Sequence, residues 1–186
     1  MVTILFTYPW HGSFNKAIAD TIINKYKGRY IPYQIIDLNK DNFNPVMTES
    51  ELALYSTGGY LDPLVGKYQE ILKKTTKLII LYPIWWDGAP AILKGFFDKV
   101  LLKDFAFNYQ NGWTPLLTQI KEGIVITTSE QPTDSIIKSG DFVNVFINTS
   151  LKPIGITNTQ WINCEKVVGG GLEKRMEFLN YITENV

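Results

Sequence analysis

The chain has one cysteine, Cys164, and one histidine, His11. An intramolecular disulfide and a cysteine-based metal cluster are therefore excluded. No charge of one sign dominates. Eighteen Lys and Arg balance 18 Asp and Glu, so a broad basic surface for nucleic acid or acidic lipid is not expected. The apolar runs are too short to cross a bilayer, and the first residues lack the basic flank and cleavage site of a secretory signal. Repeats and low-complexity linkers are also missing. The expectation is one domain over residues 1–186 in a reducing, cytoplasmic setting. With 45% hydrophobic residues, such a domain can bury a substantial core.

What is present is an alternation of apolar strands and amphipathic helices. "VTILFT" (2–7) is β-branched and nearly unbroken, as in a strand buried on both faces. Residues 14–26 carry Ala17, Ile18, Thr21, Ile22 and Tyr26 at helical spacing. "YQIIDL" (33–38) reads as a second strand, and a helical turn is open from Glu49. Pro63 starts a helix to about Lys74, and "KLIILYP" (77–83) is a third strand. Residues 90–101 form the next helix. "FAFNYQNGWTPLL" (105–117) is an excursion with a turn at Asn111-Gly112. "GIVITTS" (123–129) and "TQWINCE" (159–165) are the fourth and fifth strands. Helices are expected over 141–149 and 172–185. This pattern gives an α/β fold with a parallel sheet covered on both faces. Five strands at this length favour the flavodoxin-like doubly wound order 2-1-3-4-5, in which the loops after strands one, three and four converge on one ligand site.

The first of those loops, "YPWHGSFN" (8–15), opens a helix. Ser13 stands where an N-cap would, beside the free N–H groups of a helix start, a natural anion site. A plain helix cap accounts for Ser13 equally well. Neither a Walker lysine motif nor a Gly-x-Gly-x-x-Gly follows the strand, which disfavours a P-loop or a dinucleotide fingerprint. The second loop, "YPIWWDGAPAILKG" (82–95), has adjacent tryptophans that cannot both enter the core. At least one faces solvent, a subunit interface or a planar heteroaromatic ligand. The third, "TTSEQPTDS" (127–135), offers hydroxyls and backbone, and taken alone reads as a solvated polar loop. The end of strand one carries Thr7, Tyr8 and Pro9 rather than clustered carboxylates, so aspartyl-phosphate chemistry is out. Cys164 reads as a small buried hydrophobe.

These residues resemble a known family, the flavodoxin-like NAD(P)H:quinone oxidoreductases. It includes the animal two-electron quinone reductases and bacterial relatives such as the ancillary oxidoreductases of potassium-efflux systems. Four segments carry the likeness: "SFN" (13–15), "NFNP" (42–45), "PIWWDGAPAILKGFFDKV" (83–100), and "FAFNY" (105–109) leading into "VITT" (125–128). They lie in order across most of the chain, and the third is the most specific. The resemblance implies a homodimer that binds FMN or FAD, FMN being favoured. NAD(P)H would reduce the flavin, and a quinone or similar acceptor would reoxidise it from the same pocket, a ping-pong exchange of two electrons. It also implies that Ser13, Phe14 and Asn15 hold the flavin phosphate and ribityl chain. Pro83, Ile84, Trp85, Trp86 and Asp87 run along the ring, and Thr127, Thr128, Ser129 and Glu130 approach its pyrimidine edge. Trp86, Asp87, Phe107 and Tyr109 are the substrate-pocket candidates, the last two near the dimer interface.

The sequence departs from the family pattern in several places. The usual His directly after strand one is Tyr8. His11, three residues on, is either a phosphate partner or a plain surface residue. The usual Gly-Gly is Ser129-Glu130, which removes the close approach of backbone to the ring. The Tyr expected next is absent, with Ser135 near its place, and the His that joins it has no counterpart. Asp87 puts a carboxylate near the ring and disfavours anionic substrates. Rival readings are a flavin-binding regulatory subunit of a membrane transporter, a one-electron flavodoxin carrier, and a relative that has lost its flavin. Balanced charge speaks against the carrier, and only the altered third loop favours the last.

Overall fold

A computed structural model of the chain describes residues 1–110 and 112–186. In chain order its elements are β1 (Val2–Phe6), α1 (Phe14–Gly28), β2 (Tyr33–Asp37), α2 (Glu49–Leu54), α3 (Pro63–Lys73), β3 (Lys77–Pro83) and α4 (Ala91–Val100). Then follow β4 (Phe107–Asn108), β5 (Thr114–Pro115), β6 (Glu122–Thr128), α5 (Thr133–Lys138), α6 (Phe142–Phe146), β7 (Thr159–Cys164) and α7 (Gly171–Asn185). Five strands form one parallel sheet in the order β2-β1-β3-β6-β7. This is the expected 2-1-3-4-5 topology. The labels differ because β4 and β5 pair antiparallel outside the sheet, within the 105–117 excursion. The turn expected at Asn111-Gly112 involves Asn111, which lies outside the described residues.

The strands lack sequence alternation because both sheet faces are covered, yet their side chains still alternate in direction. Ile4 and Phe6 join Ile79, Leu81, Ile124 and Ile126 under α1 and α7. Leu5 joins Leu78, Ile80 and Val125 under α3 and α4. Helix ends follow ordinary capping chemistry. Thr48 and Glu51 form a capping box at α2, and Asp62 Oδ1 accepts the Leu64 N–H before Pro63 opens α3. The helix expected over 141–149 is α6, continued by a π-helical turn at Ile147–Leu151. The six residues of α5 show no apolar period that would mark them as a helix.

Gly95, inside α4, is where the 42–45 segment lies against the helix. A Cβ built there would meet Pro45 Cβ at 2.3 Å and Pro45 O at 2.4 Å. Alanine's better helix propensity, about 1 kcal/mol, cannot offset a clash with backbone. Gly95→Ala is therefore expected to lower stability, because overpacking costs about 1–3 kcal/mol. A urea midpoint equal to or above wild type would show that the segment yields freely.

Candidate functional site

β2 and β3 flank β1 on opposite sides, so the winding reverses there and leaves a crevice at the carboxyl ends of the strands. The three loops do converge. A cleft of about 730 Å³ opens there. Ser13, Phe14 and Asn15 line it from the start of α1, Pro83, Ile84 and Trp85 from the loop after β3, and Thr128, Ser129 and Glu130 from the end of β6. Nine of the expected site residues thus share one wall system.

Ser13 is the N-cap of α1, its Oγ accepting the Lys16 N–H at 3.2 Å. It therefore caps the helix and lines the cleft at once. The other first-turn N–H groups have no intrahelical acceptor and make a cationic pole. Asn15 is 5% exposed, and its Nδ2 donates to Thr128 Oγ1 at 2.9 Å. Its Oδ1 is buried without a hydrogen-bond partner. A buried acceptor left unpaired is costly, and this one belongs to a side chain that lines the open cleft. Trp85 is 46% exposed and packs against Tyr8, with ring centroids 5.8 Å apart.

Several expected site residues are not brought into the cleft. His11 Nε2 lies 3.2 Å from Asp37 Oδ2, at the end of β2, so the imidazole is turned to a carboxylate rather than toward the anion site. Thr127 points into the packing: it accepts from Trp161 Nε1 at 2.7 Å and donates to Asn163 Oδ1 at 2.8 Å. Trp86 and Asp87 form the apex of a two-residue turn closed by Trp85 and Gly88, whose N–H and C=O groups exchange bonds of 3.0 and 3.1 Å. Both apex residues have positive φ, +51° and +53°, the conformation this turn type requires. The turn holds Trp86 fully out in solvent, 103% exposed. Phe107 and Tyr109 do not reach the cleft in the single chain. Phe107 stacks on Trp113 with centroids 4.3 Å apart, beside a separate groove of about 410 Å³, and Tyr109 meets both rings edge-on.

Other residues were missed by the sequence reading. Asn163 braces the third loop by donating to Ser129 Oγ at 2.9 Å and Thr133 Oγ1 at 3.1 Å. The turn after β7 contributes Val167, Val168 and Gly169 to the cleft, and α7 contributes Arg175. Arg175 Nε donates to Val167 O at 2.7 Å, and its guanidinium lies 6.0 Å from the Phe14 ring centroid. No motif marks these positions; tertiary folding alone brings them in. Cys164 is buried, and burial pushes its thiol up to about 11, consistent with a packing role.

Glu165 fastens the same region, accepting from Thr133 N at 2.7 Å and Lys174 Nζ at 3.1 Å. The Thr133 N–H, then Lys174, holds its carboxyl down to about 2 against an ordinary 4.5. A carboxylate depressed by folding adds stability above the unfolded pKa and loses it as pH falls through the folded one. This contribution is thus present above about pH 4.5 and fades toward pH 2. Glu165→Gln is expected to flatten the acid limb of a pH–stability curve in that window. An unchanged slope would show that the contact contributes nothing.

A family model described as a flavodoxin-like fold matches residues 1–184. The chain belongs to this family, and the resemblance to the flavodoxin-like NAD(P)H:quinone oxidoreductases is borne out. A Haemophilus influenzae protein named an uncharacterized NAD(P)H oxidoreductase is 34% identical over 112 residues, 59% of this chain and 54% of that one. The chain thus matches about half the length of that relative. An FMN-dependent NADH:quinone oxidoreductase of Coprothermobacter proteolyticus is 27% identical over 166 residues, 86% of this chain and 83% of that one. A solved protein of Streptococcus mutans superposes with a TM-score of 0.86 at 26% identity, covering 98% of this chain and 96% of that one.

Proposed function

We propose that the protein is an FMN-dependent NAD(P)H oxidoreductase acting on quinones or similar acceptors, working as a cytoplasmic homodimer. The observation that carries this reading is the unpartnered Asn15 Oδ1, buried in the lining of a cleft at the switch point of the sheet. It calls for a ligand with hydroxyl donors, and the cleft around it suits the rest of a flavin nucleotide. Ser13 and the first-turn amides of α1 would hold the phosphate, with Arg175 nearby. Asn15 would take a ribityl hydroxyl. Pro83, Ile84 and Trp85 would wall the ring on one side, and Thr128 and Ser129 would border it on the other. The FMN dependence of the Coprothermobacter relative supports the choice of mononucleotide.

When bound, the flavin supplies two-electron transfer between a nicotinamide donor and an acceptor. The protein's part is to bind, orient and leave one open face for both partners in turn. Among the described residues lining the cleft there is no imidazole, and Tyr8 is the only phenol. The open cleft therefore leaves proton supply to water. The test is steady-state turnover of the FMN-loaded protein with NADH or NADPH and benzoquinone. Parallel double-reciprocal lines are expected. Intersecting lines would contradict the shared site, and no turnover with either donor would overturn the activity.

A further inference from the structure

We infer that Glu130 sets cofactor selectivity, its carboxylate filling an amide pair in the cleft wall and so favouring a flavin mononucleotide over a flavin dinucleotide. This inference rests on the flavin reading above. Two sets of main-chain N–H groups border the cleft. One is the start of α1. The other is the turn after β7, where the N–H groups of Val168 and Gly169 donate to Glu130 Oε2 and Oε1, each at 3.0 Å. Consecutive amides gripping one carboxylate form an anion-binding concavity, and here the chain itself supplies the anion.

The carboxylate is held firmly against the turn. Val167 N donates to Ser129 O at 3.0 Å, and Arg175 Nε donates to Val167 O at 2.7 Å, so the turn is tied to the loop after β6 on one side and to α7 on the other. A Cβ built on Gly169 would lie 2.6 Å from Glu130 Oε1. No ligand oxygen fits between the carboxylate and that backbone. The charge inventory then decides the matter. Among the described residues lining the cleft, Arg175 is the only cation and Glu130 the only anion. A single phosphate seated at the start of α1 has the helix pole and Arg175 as partners. On this inference the second phosphate and adenosine of a dinucleotide run from the start of α1 along the wall formed by Glu130, Val168 and Gly169. There the Val168 and Gly169 amides are taken, and the exposed Glu130 carboxylate at the cleft rim opposes the added charge through solvent, an effect that salt weakens. Removing the carboxylate lifts the repulsion and turns two free N–H donors toward the ligand.

The experiment is a fluorescence titration of FMN and of FAD into wild type, Glu130→Gln and Glu130→Ala. The quantity read is the ratio of the two dissociation constants within each protein, which a general loss of folded material leaves unmoved. Glu130→Gln serves as the milder variant, since its amide oxygen can still accept one of the two bonds. Wild type is expected to bind FMN about tenfold more tightly than FAD, and both variants to narrow that ratio about fivefold through tighter FAD binding. A ratio within twofold of wild type in both variants would overturn the inference, as would wild type binding FAD as tightly as FMN. In either case the flavin reading itself survives. Failure of wild type to bind either flavin would remove that reading and this inference with it.

Discussion

Ser13→Glu is expected to weaken FMN binding about 100-fold, ~2.7 kcal/mol, while the protein stays folded. Ser13 Oγ accepts the Lys16 N–H at the head of α1, a short-side-chain cap that the longer glutamate does not reproduce. The lost cap costs about 1 kcal/mol, and a negative charge at the helix pole offsets part of it, so the fold persists. The ligand site fares differently. The carboxylate would lie where the account seats a phosphate, filling its volume and opposing its charge. Flavin fluorescence titration beside a circular-dichroism melt separates the two effects. Unchanged affinity with an unchanged melt would show that the start of α1 is not the phosphate seat.

The second large effect concerns the fold beneath the site. Lys99 on α4 is 4% exposed. Its Nζ lies 2.9 Å from Glu51 Oε1 and 3.8 Å from Asp62 Oδ2, and donates to Asn44 O at 3.0 Å. It also sits 5.4 Å from the Phe43 ring centroid. One ammonium thereby gathers the 43–46 segment, the capping box of α2 and the cap of α3 onto α4. Lys99→Met leaves the buried Glu51 carboxylate without its cation, and removal of one partner from a buried pair costs about 3–5 kcal/mol. The double variant Lys99→Met/Glu51→Leu should recover part of that loss, because the stranded charge is gone too. Urea unfolding of wild type, Lys99→Met, Glu51→Leu and the double variant measures the coupling. Equal losses in single and double variants would mean that packing, and not the charge pair, accounts for the cost.

The sheet was legible because each central strand is a short, β-branched apolar run alternating with helical periods, the pattern expected of a doubly covered parallel sheet. The convergence of the three loops followed from topology alone, so Ser13, Trp85 and Thr128 could be grouped without any contact being known. Where sequence reasoning fell short, the cause is partnering across long stretches of chain. His11 has a loop position suited to a phosphate, but Asp37 sits across from it in the folded chain and takes its ring. Thr127 and Thr128 are equivalent in sequence, yet alternation along β6 sends one into the Asn163 network and the other into the cleft. Glu130 read as a lost glycine. Its use shows only when Val168 and Gly169 are brought beside it. Trp86 and Asp87 occupy a turn that ordinarily asks for Asn-Gly, and their side chains alone gave no sign of that backbone.

The most direct test of the central claim is an anaerobic visible spectrum of the protein loaded with FMN and separated from free flavin, taken before and after NADH or NADPH is added. The expected result is a bound-flavin spectrum that bleaches with one of the donors and returns when benzoquinone is added. Protein that emerges without flavin, or flavin that stays oxidised with both donors, would contradict the account.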